Sequence, residues 1–141
     1  AAGRLAEERE GIRFVITCLH DRHKKMAEEM VAERGVGKAR VEILSGRTPE
    51  VIRLADMAWS VSGSVSLELM VEALPTVILY KIRPIDLMIA RPFIKAKYIT
   101  LVNLLADRQL MPEYLTDKDV SDELVGWARK WLGDPAERKK T

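Results

Sequence analysis

The sequence predicts an α/β fold, a parallel sheet with helices on both faces in three layers. Two patterns carry that expectation. Short apolar runs, partly β-branched, occur at 12–20, 41–45, 57–62 and 76–81. Between them lie stretches whose apolar residues recur at helical spacing. Strands that alternate with helices pair in parallel, because each crossover helix returns the chain to the same edge of the sheet. No internal repeat or low-complexity tract breaks the alternation.

Residues 1–10 read as a helix, and IRFVITCLH (12–20) as a buried strand. Residues 22–34 are rich in helix formers, with Met26, Met30 and Val31 on one face, and Gly35 ends that helix. VEILS (41–45) is a short strand and Gly46 a turn. Thr48 is placed to cap a helix whose first residue is Pro49 and which runs to about Asp56. MAWSVS (57–62) is the next strand, followed by a helix from about Val65 to Ala73. Pro75 leads into the buried strand TVILYK (76–81). A basic amphipathic segment (83–97), a short strand YITLV (98–102), a mixed loop and helix to Tyr114, and a helix from Ser121 to Trp131 complete the order. Together these elements make a Rossmann-like unit.

At 141 residues the chain has room for one domain with a real core and is short for two, so a single domain over 1–141 is expected. Its 48% hydrophobic and 31% charged residues are those of an ordinary globular protein, and a net charge of +2 gives no case for nucleic-acid binding. One cysteine, Cys18, excludes an internal disulfide and fits a reducing compartment; inside an apolar run it reads as a buried, inert thiol. No apolar stretch approaches the ~18 residues of a spanning helix. Both ends read as cut. AAGRLAEERE opens inside a helix-like segment without a cap, and Asp134-Pro135 reads as a helix start close to Thr141. A piece of a longer protein is expected.

The stretch SVSGSVSLELM (60–70) is the candidate site. Ser60, Ser62, Ser64 and Ser66 alternate as strand residues do, whereas Leu67, Met70, Val71 and Leu74 recur at helical spacing and define an expected core face. In this fold ligands bind beyond the carboxyl ends of strands, where loops enter helices. Peptide N–H groups without helical partners, a glycine that lets a ligand approach, and serine hydroxyls together suit a phosphate or diphosphate. The same residues also suit an ordinary strand-to-helix turn, with Ser64 as a plain N-cap. Glu68, on the flank of the expected core face, is either a solvated glutamate or a carboxylate able to accept from two vicinal hydroxyls, as on a ribose.

Further residues carry a resemblance. The run SGSVSLELMVEALPTVILYKIRPIDLMIARPFIKAKYITLVNLLADRQLMPEYL (62–115) resembles lipid-A-disaccharide synthase. The matching features are the SG-small-x-S/T-LE element, the Pro-led strand ending in Tyr80, Ala90-Arg91, and Tyr98-Ile99 through Asn103-Leu104-Leu105-Ala106 and Arg108. Pro112-Glu113 follows in order, and upstream Gly46-Arg47-Thr48 and Ala55-Asp56 also fit. That family is of inverting glycosyltransferases with two Rossmann-like lobes, the GT-B architecture. The resemblance implies the C-terminal, UDP-binding lobe of an enzyme that joins UDP-2,3-diacylglucosamine to 2,3-diacylglucosamine 1-phosphate, giving lipid A disaccharide and UDP. Ser62, Gly63, Ser64 and Ser66 would lie near the diphosphate, Glu68 would take the ribose hydroxyls, and Asn103 and Arg108 would line the cleft. By residue type alone, Asn103 reads first as a loop-capping amide.

Three positions depart from the family pattern. Val102 stands where proline is usual, Asp107 replaces a glycine, and Thr116 stands where glutamine is frequent. An Asp107–Arg108 pair would blunt the arginine's contact with phosphate. The family's N-terminal lobe, with its acceptor contacts and general base, is missing, as is a Gly-Ser-Arg loop, so the 141-residue chain is expected to be inactive alone. The alternatives are the donor lobe of another GT-B enzyme, such as a UDP-N-acetylglucosamine transferase or epimerase, and a non-catalytic α/β nucleotide-binding module.

No carboxylate pair is placed to hold a metal-bound diphosphate, so no metal cofactor is expected; His20 and His23 lack obvious further ligands. Between Lys81 and Lys97, five basic residues (Lys81, Arg83, Arg91, Lys95, Lys97) stand against the single acid Asp86, interleaved with apolar residues. Such a stretch suits the surface of an anionic bilayer, although composition alone favours a core-packed helix with a solvated face. With the lipid-like substrates that the resemblance implies, it points to a cytoplasmic enzyme peripheral to the inner membrane. The resemblance leaves room for a homo-oligomer of the intact enzyme.

Overall fold

The computed structural model describes residues 1–61, 63–82 and 97–138. Two compact units divide the chain at Leu54 and Ala55, and each is described by itself.

The first unit comprises α1 (Ala2–Glu8), β1 (Arg13–Cys18), α2 (Asp21–Arg34), β2 (Arg40–Ser45) and α3 (Thr48–Leu54). β1 and β2 pair in parallel from Arg13↔Arg40 to Cys18↔Ser45. Buried apolar residues are few: Leu5, Cys18, Ala39 and Ile52. The strand expected at 12–20 is therefore shorter and less buried than its composition suggests. Phe14 to Thr17 are half-buried and Leu19 is 73% exposed. α2 ends where glycine predicts, with the Gly35 amide donating to Val31 at a φ of 69°. Its Met26 and Met30 face outward rather than into a core. Thr48 does not cap α3. The Val51 amide donates to the Arg47 carbonyl, so the ladder starts one residue earlier and Thr48 already lies in the first turn.

The second unit holds the larger core. It comprises β3 (Ala58–Ser60), α4 (Val65–Val71), β4 (Thr76–Lys81), α5 (Leu101–Ala106), β5 (Glu113–Thr116), α6 (Ser121–Gly133) and α7 (Pro135–Arg138). The sheet order is β3-β4-β5, all parallel, with β4 central. β4 falls where its sequence placed it, and Thr76, Val77 and Ile78 are fully buried; each of the two aliphatic side chains contributes about 1.5–3 kcal/mol by leaving water. α6 buries Leu124, Val125, Ala128 and Trp131 at helical spacing. Its entry is tied by Asp119, not Ser121. The Asp119 carboxylate accepts from the Ser121 hydroxyl (2.6 Å) and amide (2.9 Å), which lowers its pKa below the usual value. At α7, the Asp134 carboxylate accepts from the Ala136 amide at 2.8 Å, as the Asp-Pro start predicts.

Two expectations are corrected here. Residues 98–102 do not form a strand: Leu101–Ala106 is helical, and the Thr100 hydroxyl accepts from the Asn103 amide as its cap. Ile99 and Thr100 direct their amides to the Glu113 carboxylate rather than to a neighbouring strand. The sequence reading also passed over β5, which at four residues is too short to show a period.

The core face of α4 is rotated from the expected one. Ser66 and Leu69 are buried, whereas Met70 and Val71 are exposed, Val71 by 78%. The cause lies at the helix's end. The Leu74 amide donates to Leu69 and the Ala73 amide to Met70, with Ala73 left-handed at φ 49°. This is a Schellman closure, whose hydrophobic contact joins the residue after the left-handed position to the residue five before it. Leu74 and Leu69 are that pair, and both are buried. Alanine bears a steric cost at φ 49° that glycine does not, so Ala73→Gly should stabilise the second unit by about 1 kcal/mol in thermal melts. A loss of stability would show that the left-handed turn is not retained in solution.

Candidate functional site

β3 stops at Ser60, and α4 opens at Val65. Ser62 lies outside the described residues. Ser64 does not cap the helix with its side chain. Its backbone is already helical (φ −58°, ψ −30°), whereas a capping side chain needs an extended backbone to reach back. Ser66 instead closes the turn. Its hydroxyl donates to the Gly63 carbonyl at 2.7 Å and its amide to the same oxygen at 3.1 Å, and the residue is buried. The Leu67 amide donates to Ser64, so the opening turn is tightened in 3₁₀ fashion.

Gly63 is exposed, its φ lies outside the left-handed region, and a Cβ added there would meet nothing within 4 Å among the described residues. Among the described residues, neither backbone conformation nor packing demands glycine at this position. Its missing side chain leaves the peptide groups ahead of α4 open to approach. Glu68 is exposed on the side of α4 turned away from Ser66 and Leu69.

α4 packs against α5, which carries the second group of candidates. Asn103 is fully buried. Its Oδ1 accepts from the amides of Leu110 (2.8 Å) and Met111 (2.9 Å), and its Nδ2 donates to the Met111 carbonyl at 2.7 Å. The asparagine thus staples the turn that follows α5. Arg108 stands exposed in that turn.

Asp107 does not pair with Arg108, so the blunting that such a pair would bring is not seen. Asp107 pairs with Lys97 at 3.5 Å, and it ends α5 in the left-handed conformation at φ 47°. That conformation accounts for a glycine at this place in the family pattern, and aspartate is among the side chains that tolerate it. Lys97 also lies 5.0 Å from the centre of the Tyr98 ring. The Tyr98 hydroxyl, then the Asp107 carboxylate, raise the ammonium's pKa above its usual value. Val102 falls in the first turn of α5, where proline would leave no helical bond unmade. The Thr116 hydroxyl accepts from the Lys118 amide, a local turn contact.

Glu113 is the residue whose part the sequence reading missed. Its carboxylate accepts from the Ile99 amide at 2.7 Å and the Thr100 amide at 2.9 Å. The signal was limited to its place in the Pro112-Glu113 pair, since nothing local shows which amides a side chain will meet.

Residues 83–96 of the basic segment lie outside the described residues, so its Arg91 and Lys95 have no structural account. Among the described residues, no group of three or more His, Cys, Asp or Glu side chains could hold a metal ion, and the His20 and His23 rings are 5.6 Å apart. No described helix is long and apolar enough to cross a membrane.

Parallel strands alternating with helices, in a two-stranded and a three-stranded sheet rather than the one sheet expected, make this an α/β protein consistent with a Rossmann-like lobe. The profile of the family described as Lipid-A-disaccharide synthetase matches residues 1–135. The chain is 32% identical over 138 residues to the lipid-A-disaccharide synthase of Pseudomonas entomophila, covering 98% of this chain and 36% of that protein. A Pseudomonas putida lipid-A-disaccharide synthase is 32% identical over 125 residues, 89% of this chain and 32% of that protein. One from Pseudomonas fluorescens is 34% identical over 124 residues, 88% and 32%. The chain belongs to the lipid-A-disaccharide synthetase family. It spans about a third of the length of these curated relatives.

Proposed function

We propose that this chain is the UDP-binding, C-terminal lobe of a GT-B glycosyltransferase, a single nucleotide-sugar-binding domain taken from a longer enzyme. The intact enzyme transfers 2,3-diacylglucosamine from UDP to 2,3-diacylglucosamine 1-phosphate, forming the lipid A disaccharide. Gly63 carries the reading: it is exposed at the entrance to α4, and a Cβ there would meet none of the described residues within 4 Å. Family membership supplies the donor that such an opening would admit.

In the proposed site the peptide groups at Gly63 and Ser64, with Ser62, face the diphosphate. Ser66 holds the turn through its bond to the Gly63 carbonyl. Glu68 accepts from the ribose hydroxyls, and its exposure leaves both oxygens accessible. Arg108 faces phosphate, and Asn103 acts by shaping the turn on which Arg108 stands. As the acceptor hydroxyl attacks the anomeric carbon in line, negative charge grows on the departing UDP. Oriented N–H donors and a guanidinium stabilise that charge without reorganising. The acceptor contacts and general base belong to the other lobe, so the chain alone should show no transferase activity. The basic stretch 81–97 would place the enzyme on the anionic surface of the inner membrane.

Titrating UDP while following amide shifts tests the donor site. Shifts at Gly63, Ser64 and Glu68 with UDP and none with AMP are expected. Silence at all three would leave a non-catalytic module, and turnover by residues 1–141 alone would overturn the division of labour between lobes.

A further inference from the structure

We infer that Glu113 is a positioning residue that fixes the turn carrying Arg108. The ligand given to Arg108, a diphosphate, rests on the donor-lobe reading above.

The argument starts from two amides. Ile99 and Thr100 precede α5, and both direct their N–H groups to the one carboxylate of Glu113. Glu113 begins β5 and lies beside Ile78 of β4, whose amide donates to the Pro112 carbonyl at 2.8 Å. The carboxylate therefore ties the start of α5 to the sheet. From there the ties continue: the Thr100 hydroxyl accepts from the Asn103 amide, and the Asn103 side chain closes on Leu110 and Met111. Residues 99–113 thus form a loop joined at its two ends and stapled across its middle. Asp107, Arg108 and Gln109 project from it, all exposed. Asp107 is drawn to Lys97, and among the described residues Arg108 makes no ion pair. The loop's polar side chains serve its backbone and leave the guanidinium for a ligand.

The Ile99 and Thr100 amides meet different oxygens of Glu113, Oε1 and Oε2, so the clamp uses two acceptors. A carboxylate supplies both; the side chain of glutamine supplies one oxygen and turns an NH₂ group against the other amide. Glu113→Gln therefore removes half of the clamp without removing its volume. A guanidinium binds a diphosphate best when its place is fixed beforehand, because ordering a loop on binding subtracts from affinity.

The test compares UDP with uridine, which lacks the phosphates, in the intact chain. The four proteins are wild type, Arg108→Ala, Glu113→Gln and the double variant. Amide exchange at Leu110 and Met111 is followed in parallel. Glu113→Gln should weaken UDP binding about tenfold, leave uridine unchanged, and add nothing once Arg108 is alanine. It should also speed exchange at Leu110 and Met111. Equal losses for UDP and uridine, full additivity with Arg108→Ala, or unaltered exchange would each overturn the assignment. A wild-type chain blind to UDP would overturn the donor-lobe reading and the diphosphate with it, while the exchange measurement still decides whether Glu113 holds the turn.

Discussion

Asn103→Ala is expected to destabilise the second unit by about 3–5 kcal/mol, read as a lower urea midpoint at unchanged slope. The reason is the number of buried groups that would lose their partner together. The Leu110 and Met111 amides share Oδ1, and the Met111 carbonyl takes the Nδ2 proton. Met111 is buried, so water does not replace the lost bonds without opening the turn. An unsatisfied buried donor or acceptor costs about 1–3 kcal/mol; the Met111 amide and carbonyl are two such groups, and the half-buried Leu110 amide loses its partner with them. Asn103→Asp sharpens the test. It keeps an acceptor for both amides but sets an oxygen against the Met111 carbonyl, so it too should destabilise, by less than alanine. A loss below about 1 kcal/mol for the alanine variant would show that the turn does not rely on its staple.

That role was half legible in the sequence. Asn103 was a candidate both for the cleft and for a loop-capping amide, and the geometry gives its hydrogen bonds to the loop. Legibility followed how local the determining contacts are. Pro75 and the run after it located β4, Gly35 ended α2, and Asp134-Pro135 opened α7, each through a backbone constraint carried by the residues themselves. Residues 98–102 misled because Ile99, Thr100 and Val102 favour strands, whereas a carboxylate thirteen or fourteen residues away and the Thr100 cap decide for a helix. The face of α4 misled for a related reason. Leu67, Met70 and Val71 form a helical stripe, but the Schellman pairing of Leu69 with Leu74 sets the helix's rotation. At the candidate site, the run of small residues was visible. Which serine caps, which one is buried, and whether the glycine is free were not.

The last point gives the sharpest functional expectation. Gly63→Val should leave stability within about 0.5 kcal/mol of wild type and weaken UDP binding about a hundredfold. Both halves follow from one observation. Among the described residues a Cβ at this position would meet nothing within 4 Å, and the backbone does not need the left-handed region, so a side chain there is expected to cost the fold little. A ligand held by the peptide groups would not, because two added methyls fill the space through which its phosphates approach. Most site substitutions confound loss of contact with loss of structure; here the fold is predicted indifferent. The uridine comparison places the effect, since a nucleoside without phosphates should bind the variant as it binds wild type. If Gly63→Val holds UDP as tightly as wild type, the phosphates lie elsewhere, and the opening ahead of α4 is only a turn. If it unfolds, the space around Gly63 is filled in solution by the chain itself. Retained fold, retained uridine binding and lost UDP binding together would locate the diphosphate at residues 62–64.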